Sequence, residues 1–217
     1  MLSEDVERFN EWWFTGKVRS DLAPPFKRYA FQRIVDSFGE RQILLITGAR
    51  RVGKTTLMYQ AIDELLQAVS PDRILYYSFD ESPVSPKDVL EFYERRVLMK
   101  PFKEAGKVFV FFDEIQYVED WHAMVKKFYD LYPNLKFFLS GSSTLLLSKE
   151  ASEKLAGRFF SLKLKPLTFQ EFLGLKGVEK AAAEIYSRRL ETYFHDYLRK
   201  SGFPEIVDWD NESRIAE

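Results

Sequence analysis

The sequence predicts an α/β fold built on a mostly parallel sheet, and three observations carry the prediction. Short apolar runs of strand length alternate with stretches whose apolar residues recur at helical spacing. One such run, Gln42 to Thr47, leads into a glycine-bounded turn, Gly48 to Gly53, and then straight into a helical pattern. Another, Val108 to Phe112, ends in the acidic pair Asp113-Glu114.

Residues 1–25 are expected to form a helical extension ahead of a core over 26–165. A helix is expected from about Phe26 to Phe38, because Phe31, Ile34, Val35 and Phe38 share one face and Gly39 suits its C-terminal cap. Ile43, Leu44, Leu45 and Ile46 are unbroken, as in a strand buried on both faces. After the turn, Leu57, Met58, Ala61, Ile62, Leu65 and Leu66 give a helix one wide apolar face. Ile74 to Phe79 is the second strand, ended by Asp80-Glu81-Ser82-Pro83. Ser85-Pro86 opens the next helix, with proline in the first turn and Asp88 close behind. Val108 to Phe112 is the third strand, and Trp121, Val125 and Phe128 mark a helix after it. Lys136 to Leu139 is the fourth strand, closed by Ser140-Gly141-Ser142-Ser143. Phe159 to Leu164 alternates and reads as an edge strand. From Pro166 the pattern turns helical: Thr168-Phe169-Gln170-Glu171 is a capping box, and a second helix around Tyr186 to Leu198 is stopped by Gly202 and Pro204. A small helical lid over 166–217 is therefore expected.

Composition narrows the function classes. The chain of 217 residues has no cysteine, which removes disulfides, thiolate metal sites and cysteine nucleophiles. Its net charge of −1 offers no chain-wide attraction to nucleic acid. No apolar run reaches the length of a membrane span, and Met1 to Ser20 lacks the apolar core of a signal peptide, so a cytoplasmic protein is expected. Aromatics are 16% of the chain. They read first as core, with Trp12-Trp13-Phe14 as the best candidate for an exposed partner surface.

Gly48-Ala49-Arg50-Arg51-Val52-Gly53-Lys54-Thr55 satisfies G-x-x-x-x-G-K-[ST] at every fixed position. In a chain of this length a chance match is a roughly 1-in-100 event. The chemistry requires these types. Glycines let a loop curl so that several backbone N–H groups converge on phosphate oxygens, and the helix that follows directs its partly positive N-terminus into the same cradle. Gly48, Arg50, Arg51, Val52, Gly53, Lys54, Thr55 and Thr56 form the candidate nucleotide site, with Lys54 at the β and γ phosphates and the Thr55 hydroxyl on Mg²⁺. Asp113 at a strand end would complete the metal site, and Glu114 would polarise the attacking water. An adjacent Asp-Glu pair favours ATP hydrolysis. The guanine-reading N-K-x-D is absent, and the single D-x-x-G, Asp36 to Gly39, precedes the loop.

These motifs, with Phe-Phe-Asp-Glu-Ile-Gln116, Leu-Ser-Gly-Ser-Ser143, Leu-Ala-Gly-Arg158, Leu-Thr-Phe-Gln-Glu-Phe172 and Gly-Phe-Pro-Glu205, follow one another in the order seen in the archaeal-type AAA-like P-loop ATPases. The chain resembles that family from about Lys27 to Glu205. The resemblance implies a three-layer αβα sandwich with a five-stranded parallel sheet of order 5-1-4-3-2 under a helical lid. It implies ATP or ADP with Mg²⁺ as ligands, a sensor at Ser140 or Ser142 near the γ-phosphate, and Arg158 completing a site, in the same chain or by self-association. It also suggests that Arg28 contacts adenine. Members of the family usually continue past Gly-Phe-Pro-Glu into another domain, whereas this sequence ends at Glu217 soon after Trp209-Asp210-Asn211, so part of the lid or an effector domain is expected to lie outside it.

His122 and His195 read as surface or packing residues, since neither has a cysteine or second histidine to share a metal. Arg95-Arg96, Lys126-Lys127 and Arg188-Arg189 read as solvated helix faces rather than nucleic-acid contacts. Arg50 and Arg51 stand open to phosphate, a neighbouring subunit, a partner, or a balancing role toward Asp80 or Glu81. Three readings remain: an ATPase coupling hydrolysis to a change in a protein, nucleic-acid or appended-domain partner; a slow nucleotide-gated switch; and a binding module whose loop is inactive.

Overall fold

The computed structural model describes residues 2–80, 84–143, 153, 155–178 and 187–207, with 187–189 as backbone only. Glu81, Ser82, Pro83, Tyr186, the side chains of Arg188 and Arg189, and Trp209 to Asn211 lie outside the described residues.

Five strands are present: β1 (Ile43–Gly48), β2 (Ile74–Ser78), β3 (Val108–Asp113), β4 (Leu135–Gly141) and β5 (Phe159–Leu164). All pair in parallel, in the order β2-β3-β4-β1-β5, the expected order read from the other edge. Alternation along each strand then feeds two separate cores. Ile43 and Leu45 of β1, Val108, Val110 and Phe112 of β3, and Leu135, Phe137 and Leu139 of β4 face one side. Leu44, Ile46, Phe109, Phe111 and Phe138 face the other.

Helices cover both faces. On the first lie α1 (Leu2–Phe9), α5 (Pro86–Tyr93) and α6 (Trp121–Leu131), through Val6, Val89, Tyr93, Trp121 and Val125. On the second lie α2 (Trp12–Thr15), α3 (Ala30–Asp36) and α4 (Lys54–Leu65), through Trp12, Ile34, Leu57, Met58 and Ile62. The lid contributes α7 (Phe169–Leu175) and α8 (Ser187–Arg199), with Leu167, Phe172 and Val207 as a small core of their own. Thr168 and Glu171 form the expected capping box, and Ser85 caps α5 by accepting from the Lys87 N–H at 3.2 Å.

Two helix expectations are corrected, and the aromatic cluster keeps its first reading as core. The helix predicted from Phe26 begins only at Ala30: the Phe26 carbonyl accepts from the Gln60 side chain at 2.8 Å instead of from a helical N–H, and the first turn closes with the Phe31 N–H donating to the Arg28 carbonyl at 2.9 Å. Gly39 does not serve as a left-handed cap. The helix tightens into a 3₁₀ turn over Ser37–Gly39, where the Ser37 hydroxyl donates to the Ile34 carbonyl at 2.7 Å. The Trp12-Trp13-Phe14 cluster is not an exposed aromatic surface. Trp12 is buried, Trp13 stacks on Tyr93 at 5.7 Å between centroids, and only Phe14 is largely exposed.

Both tryptophan indoles donate to the Ile74 carbonyl, at 3.1 and 2.8 Å. Asn10 reaches the same strand, accepting from the Tyr76 N–H and donating to the Tyr76 carbonyl, each at 2.7 Å. The N-terminal segment thereby satisfies backbone groups along the free edge of β2, which an uncovered edge would offer to other chains.

Candidate functional site

The site stands at the carboxyl ends of β1, β3 and β4, the crevice that open parallel sheets use for ligands. Phe112 lies opposite Leu139, so Asp113 at the end of β3 is level with Ser140 on β4. Ile46 lies opposite Ser140, which brings the loop after β1 to the same level.

The loop owes its shape to two glycines. A Cβ on Gly48 would stand 2.5 Å from the Leu164 carbonyl oxygen, so only glycine lets β1 turn off this close to β5. Gly53 takes φ +94° immediately before α4, and Arg51 is also left-handed at φ 65°. Val52 is fully buried and anchors the loop from below. Lys54, the first residue of α4, is buried to 4% exposure and curls back under the loop, donating to the Ala49 carbonyl at 3.1 Å. Its ammonium lies 3.4 Å from Glu114.

Asp113 is 1% exposed and is gripped by hydroxyls. Thr55 donates to Oδ2 at 2.6 Å, Tyr76 donates to the same oxygen at 2.8 Å, and Ser140 donates to Oδ1. Burial pushes the Asp113 carboxyl above its ordinary pKa, with Glu114 adding to the rise and the three hydroxyls pulling the other way. Burial, reinforced by the Asp113 charge, raises the Tyr76 phenol well above its ordinary value, so it is a fixed donor. Glu114 has φ 51°, a left-handed conformation that non-glycine residues seldom adopt and that here turns its side chain back toward Lys54. Gln116 donates to Glu114 and accepts from the Ser142 N–H at 3.3 Å.

Beside the loop opens a cleft of about 430 Å³. Its lining combines the polar groups of Lys54, Thr55 and Glu114 with the apolar side chains of Pro24, Phe26, Leu167, Leu175 and Pro204. Gln60 of α4 ties down residues 24–26 by donating to the Pro24 and Phe26 carbonyls at 2.6 and 2.8 Å.

Gly48, Val52, Gly53, Lys54, Thr55, Asp113 and Glu114 thus converge. Thr56 lines the cleft, Arg50 is exposed, and Arg51 pairs with Glu205 of the lid at 3.2 Å. Arg51 therefore balances a lid acid, not Asp80, whose carboxylate instead accepts from Ser78 at 2.5 Å. Of the two serines, Ser140 reaches Asp113, whereas Ser142 meets Gln116 through its backbone. Arg158 is not brought to the loop. It stands at the opposite end of the sheet, where its carbonyl accepts from the Ile43 N–H and its guanidinium grips Asp130 of α6 at 2.9 and 3.2 Å. That pairing raises the Arg158 pKa and lowers that of Asp130. At about 3.3 Å per residue, the length of β1 separates Arg158 from Gly48. Arg28 lines the cleft, but its guanidinium is engaged by Val52, Lys165, Pro166 and Glu171.

The sequence reading passed over Tyr76, Gln60 and Glu205 as site residues. Glu205 had a signal, since it closes the Gly-Phe-Pro-Glu motif. Tyr76 and Gln60 had none: each is one aromatic or polar residue in an apolar pattern and acts through partners distant in sequence.

A five-stranded parallel sheet of this order, with a glycine loop entering a helix beside a buried strand-end carboxylate, defines the P-loop nucleotide-binding class. Within it, the chain belongs to the AAA domain family, whose sequence profile matches residues 40–173. It is 33% identical over 174 residues to the uncharacterised protein MJ1544 of Methanocaldococcus jannaschii, covering 79% of this chain and 38% of that one. An uncharacterised protein of Haemophilus influenzae is 33% identical over 167 residues, covering 76% and 40%. The chain thus spans about two-fifths of the length of these relatives. The crystal structure of Saccharomyces cerevisiae RIF2 superposes with a TM-score of 0.49 at 13% identity, covering 97% of this chain and 93% of that one. AAA domains as a family point to nucleotide binding and ATP hydrolysis. Among the described residues no helix is long and apolar enough to cross a membrane.

Proposed function

We propose that this chain binds ATP with Mg²⁺ and hydrolyses it, using the change between nucleotide states to move its lid against a partner or an appended domain. The observation that carries the reading is the Thr55–Asp113 contact of 2.6 Å beside the buried Lys54. A hydroxyl and a carboxylate facing each other at the mouth of a phosphate cradle are the hard oxygen donors that suit magnesium, which takes its other ligands from phosphates and water. When bound, Mg²⁺ neutralises charge developing on the phosphates. Lys54 supplies a fixed positive charge, and loop N–H groups orient the anion. Glu114 would accept a proton from, or align, the attacking water. A cytoplasmic setting suits a chain without cysteine.

Binding of a fluorescent ATP analogue with and without Mg²⁺ tests this. Lys54→Ala is expected to weaken affinity by 100-fold or more, about 2.7 kcal/mol. Equal affinity in the two proteins would establish an inactive loop. Glu114→Gln is expected to keep binding and to lower turnover by at least about 100-fold, the scale of general-base catalysis.

The position of Arg158 favours a second reading, a slow nucleotide-gated switch. A placed arginine is worth roughly 10³ to 10⁵ in turnover, and the one expected here is paired with Asp130 at the other end of the sheet. Turnover should therefore be very slow in dilute protein. A rise with protein concentration, or on adding DNA or RNA, marks a site completed by self-association or a partner. Fast turnover in dilute protein would rule out the switch.

A further inference from the structure

We infer that Arg28 is a positioning residue that locks the phosphate loop to the lid, so that nucleotide occupancy and lid docking are read through one guanidinium. The inference rests on the nucleotide-binding reading above and assigns to Arg28 and Glu171 a role beyond it.

Arg28 spends its donors on three parts of the molecule at once. Nη1 donates to the Val52 carbonyl of the loop and to the Lys165 carbonyl at the exit of β5, both at 2.9 Å. Nη2 donates to the Pro166 carbonyl at 3.2 Å. Nε and Nη2 form a two-pronged pair with Glu171 of the lid helix, at 3.1 and 2.9 Å. Only a planar guanidinium offers this many donors in fixed directions; an ammonium of similar charge does not.

Glu171 is equally committed. Its carboxylate caps α7 by accepting from the Thr168 N–H at 2.9 Å and also accepts from the Tyr29 N–H at 3.1 Å. Exposures of 9% and 4% place the pair out of water, where leaving either partner alone is costly. The two residues are therefore docked together or displaced together.

The Val52 contact gives the pair leverage on the site. In a trans peptide the carbonyl and the following N–H point opposite ways. Pinning the Val52 carbonyl therefore fixes the direction of the Gly53 N–H, one of the donors a loop of this type presents to phosphate. A shift of α7 pulls on Glu171, then on Arg28, then on that peptide. Phe26 strengthens the linkage: its ring fills the notch at Gly174 of α7, where a Cβ would come within 2.6 Å. Coupling of this kind is reciprocal, so a lid that tightens nucleotide binding must itself be tightened by nucleotide to the same degree.

Hydrogen–deuterium exchange of residues 167–175, with and without Mg·ADP, tests the inference on the full chain and on Arg28→Lys and Glu171→Gln. Nucleotide affinity is measured first, so that each protein is compared at the same occupancy. Nucleotide is expected to slow exchange of α7 in the wild type by at least about fivefold, the lower end of allosteric coupling. In both variants the slowing should shrink to under about twofold, with affinity weakened by the factor by which coupling is lost. A merely structural pair would change stability without removing the nucleotide dependence. Wild-type slowing at matched occupancy in the variants overturns the inference, as does a wild type that binds nucleotide without any response of α7. A wild type that binds no nucleotide overturns this inference and the functional reading together. Circular dichroism checks folding first; should Glu171→Gln unfold, Arg28→Lys, which keeps the charge, decides.

Discussion

Asp113 shows how neighbours hold one buried carboxylate in place. A buried carboxylate without partners would be forced toward its neutral form; here Thr55, Tyr76 and Ser140 supply three hydroxyl donors that favour the charged form and fix the rotamer. Thr55 stands at the loop, where its hydroxyl would hold a cation together with Asp113, whereas Tyr76 approaches from the interior beside Tyr59, whose ring centroid is 4.6 Å away. Tyr76→Phe keeps the ring and removes only the hydroxyl. It is expected to cost about 1.5 to 3 kcal/mol of stability, the range for a hydrogen bond to a charged group, and to raise the Mg²⁺ concentration needed for tight nucleotide binding. Urea unfolding and a Mg²⁺ titration measure the two, and a variant matching the wild type in both would remove Tyr76 from the site. The residues of the candidate nucleotide site were legible in the sequence because their spacing is local: Gly48 to Thr55 is one turn, and Asp113-Glu114 one strand end. Their supporting residues were not, because Tyr76 reaches Asp113 across 37 positions and Arg28 reaches Glu171 across 143.

Strands were the most readable elements, since an apolar run buried on both faces needs no partner to reveal it. Their ends moved by one or two residues where side-chain chemistry takes over: β3 takes in Asp113, and β4 extends through Gly141. What escaped was the use of the N-terminal segment as a cover for β2, because Asn10 looks like any polar residue until Tyr76 stands beside it. Within β4, Lys136 is the element's own anomaly. It is 1% exposed in a central strand, lies over the Phe138 ring at 5.1 Å and donates to the Gln42 carbonyl. Burial lowers its pKa to about 8. The folded state then releases the proton at a lower pH than the unfolded state, whose lysine titrates near 10.4. Between these values the unfolded chain binds more protons, so stability rises with pH across that window, and below pH 8 the cost of the buried charge is fully present. Lys136→Met is therefore expected to stabilise the chain most near pH 7, and its advantage should shrink as pH rises toward 10. Urea unfolding at the two pH values checks the sign; a pH-independent difference would show that Lys136 pays no charge penalty in the fold.

At the scale of the molecule, the loop sits where sheet and lid meet, and specific side-chain contacts join the two. Arg28 joins loop, β5 exit and α7, while Arg51 and Glu205 bridge the outer rim. Inside the lid, the Leu167 N–H donates to the Gly202 carbonyl at 2.6 Å, and Gly202 at φ +70° leaves no room there for a Cβ. Among the described residues the buried lid core is only Leu167, Phe172 and Val207, so the Arg28 and Arg51 contacts with the sheet side carry weight in holding the lid. It follows that nucleotide should stabilise lid and sheet as one unit. A ligand that binds only the folded state at a hundred times its dissociation constant adds about 2.7 kcal/mol. In a chain of this size each kcal/mol moves the melting temperature by about 2–4 °C. Scanning calorimetry with Mg·ADP at that excess is expected to show a single transition raised by about 5 to 11 °C. Lys54→Ala should melt as one transition as well but shift by no more than about 2 °C at the same nucleotide concentration. A separate low-temperature transition that ignores nucleotide would mean that the lid rides on the core without sharing its free energy. The cleft between them would then be held by the sheet side alone.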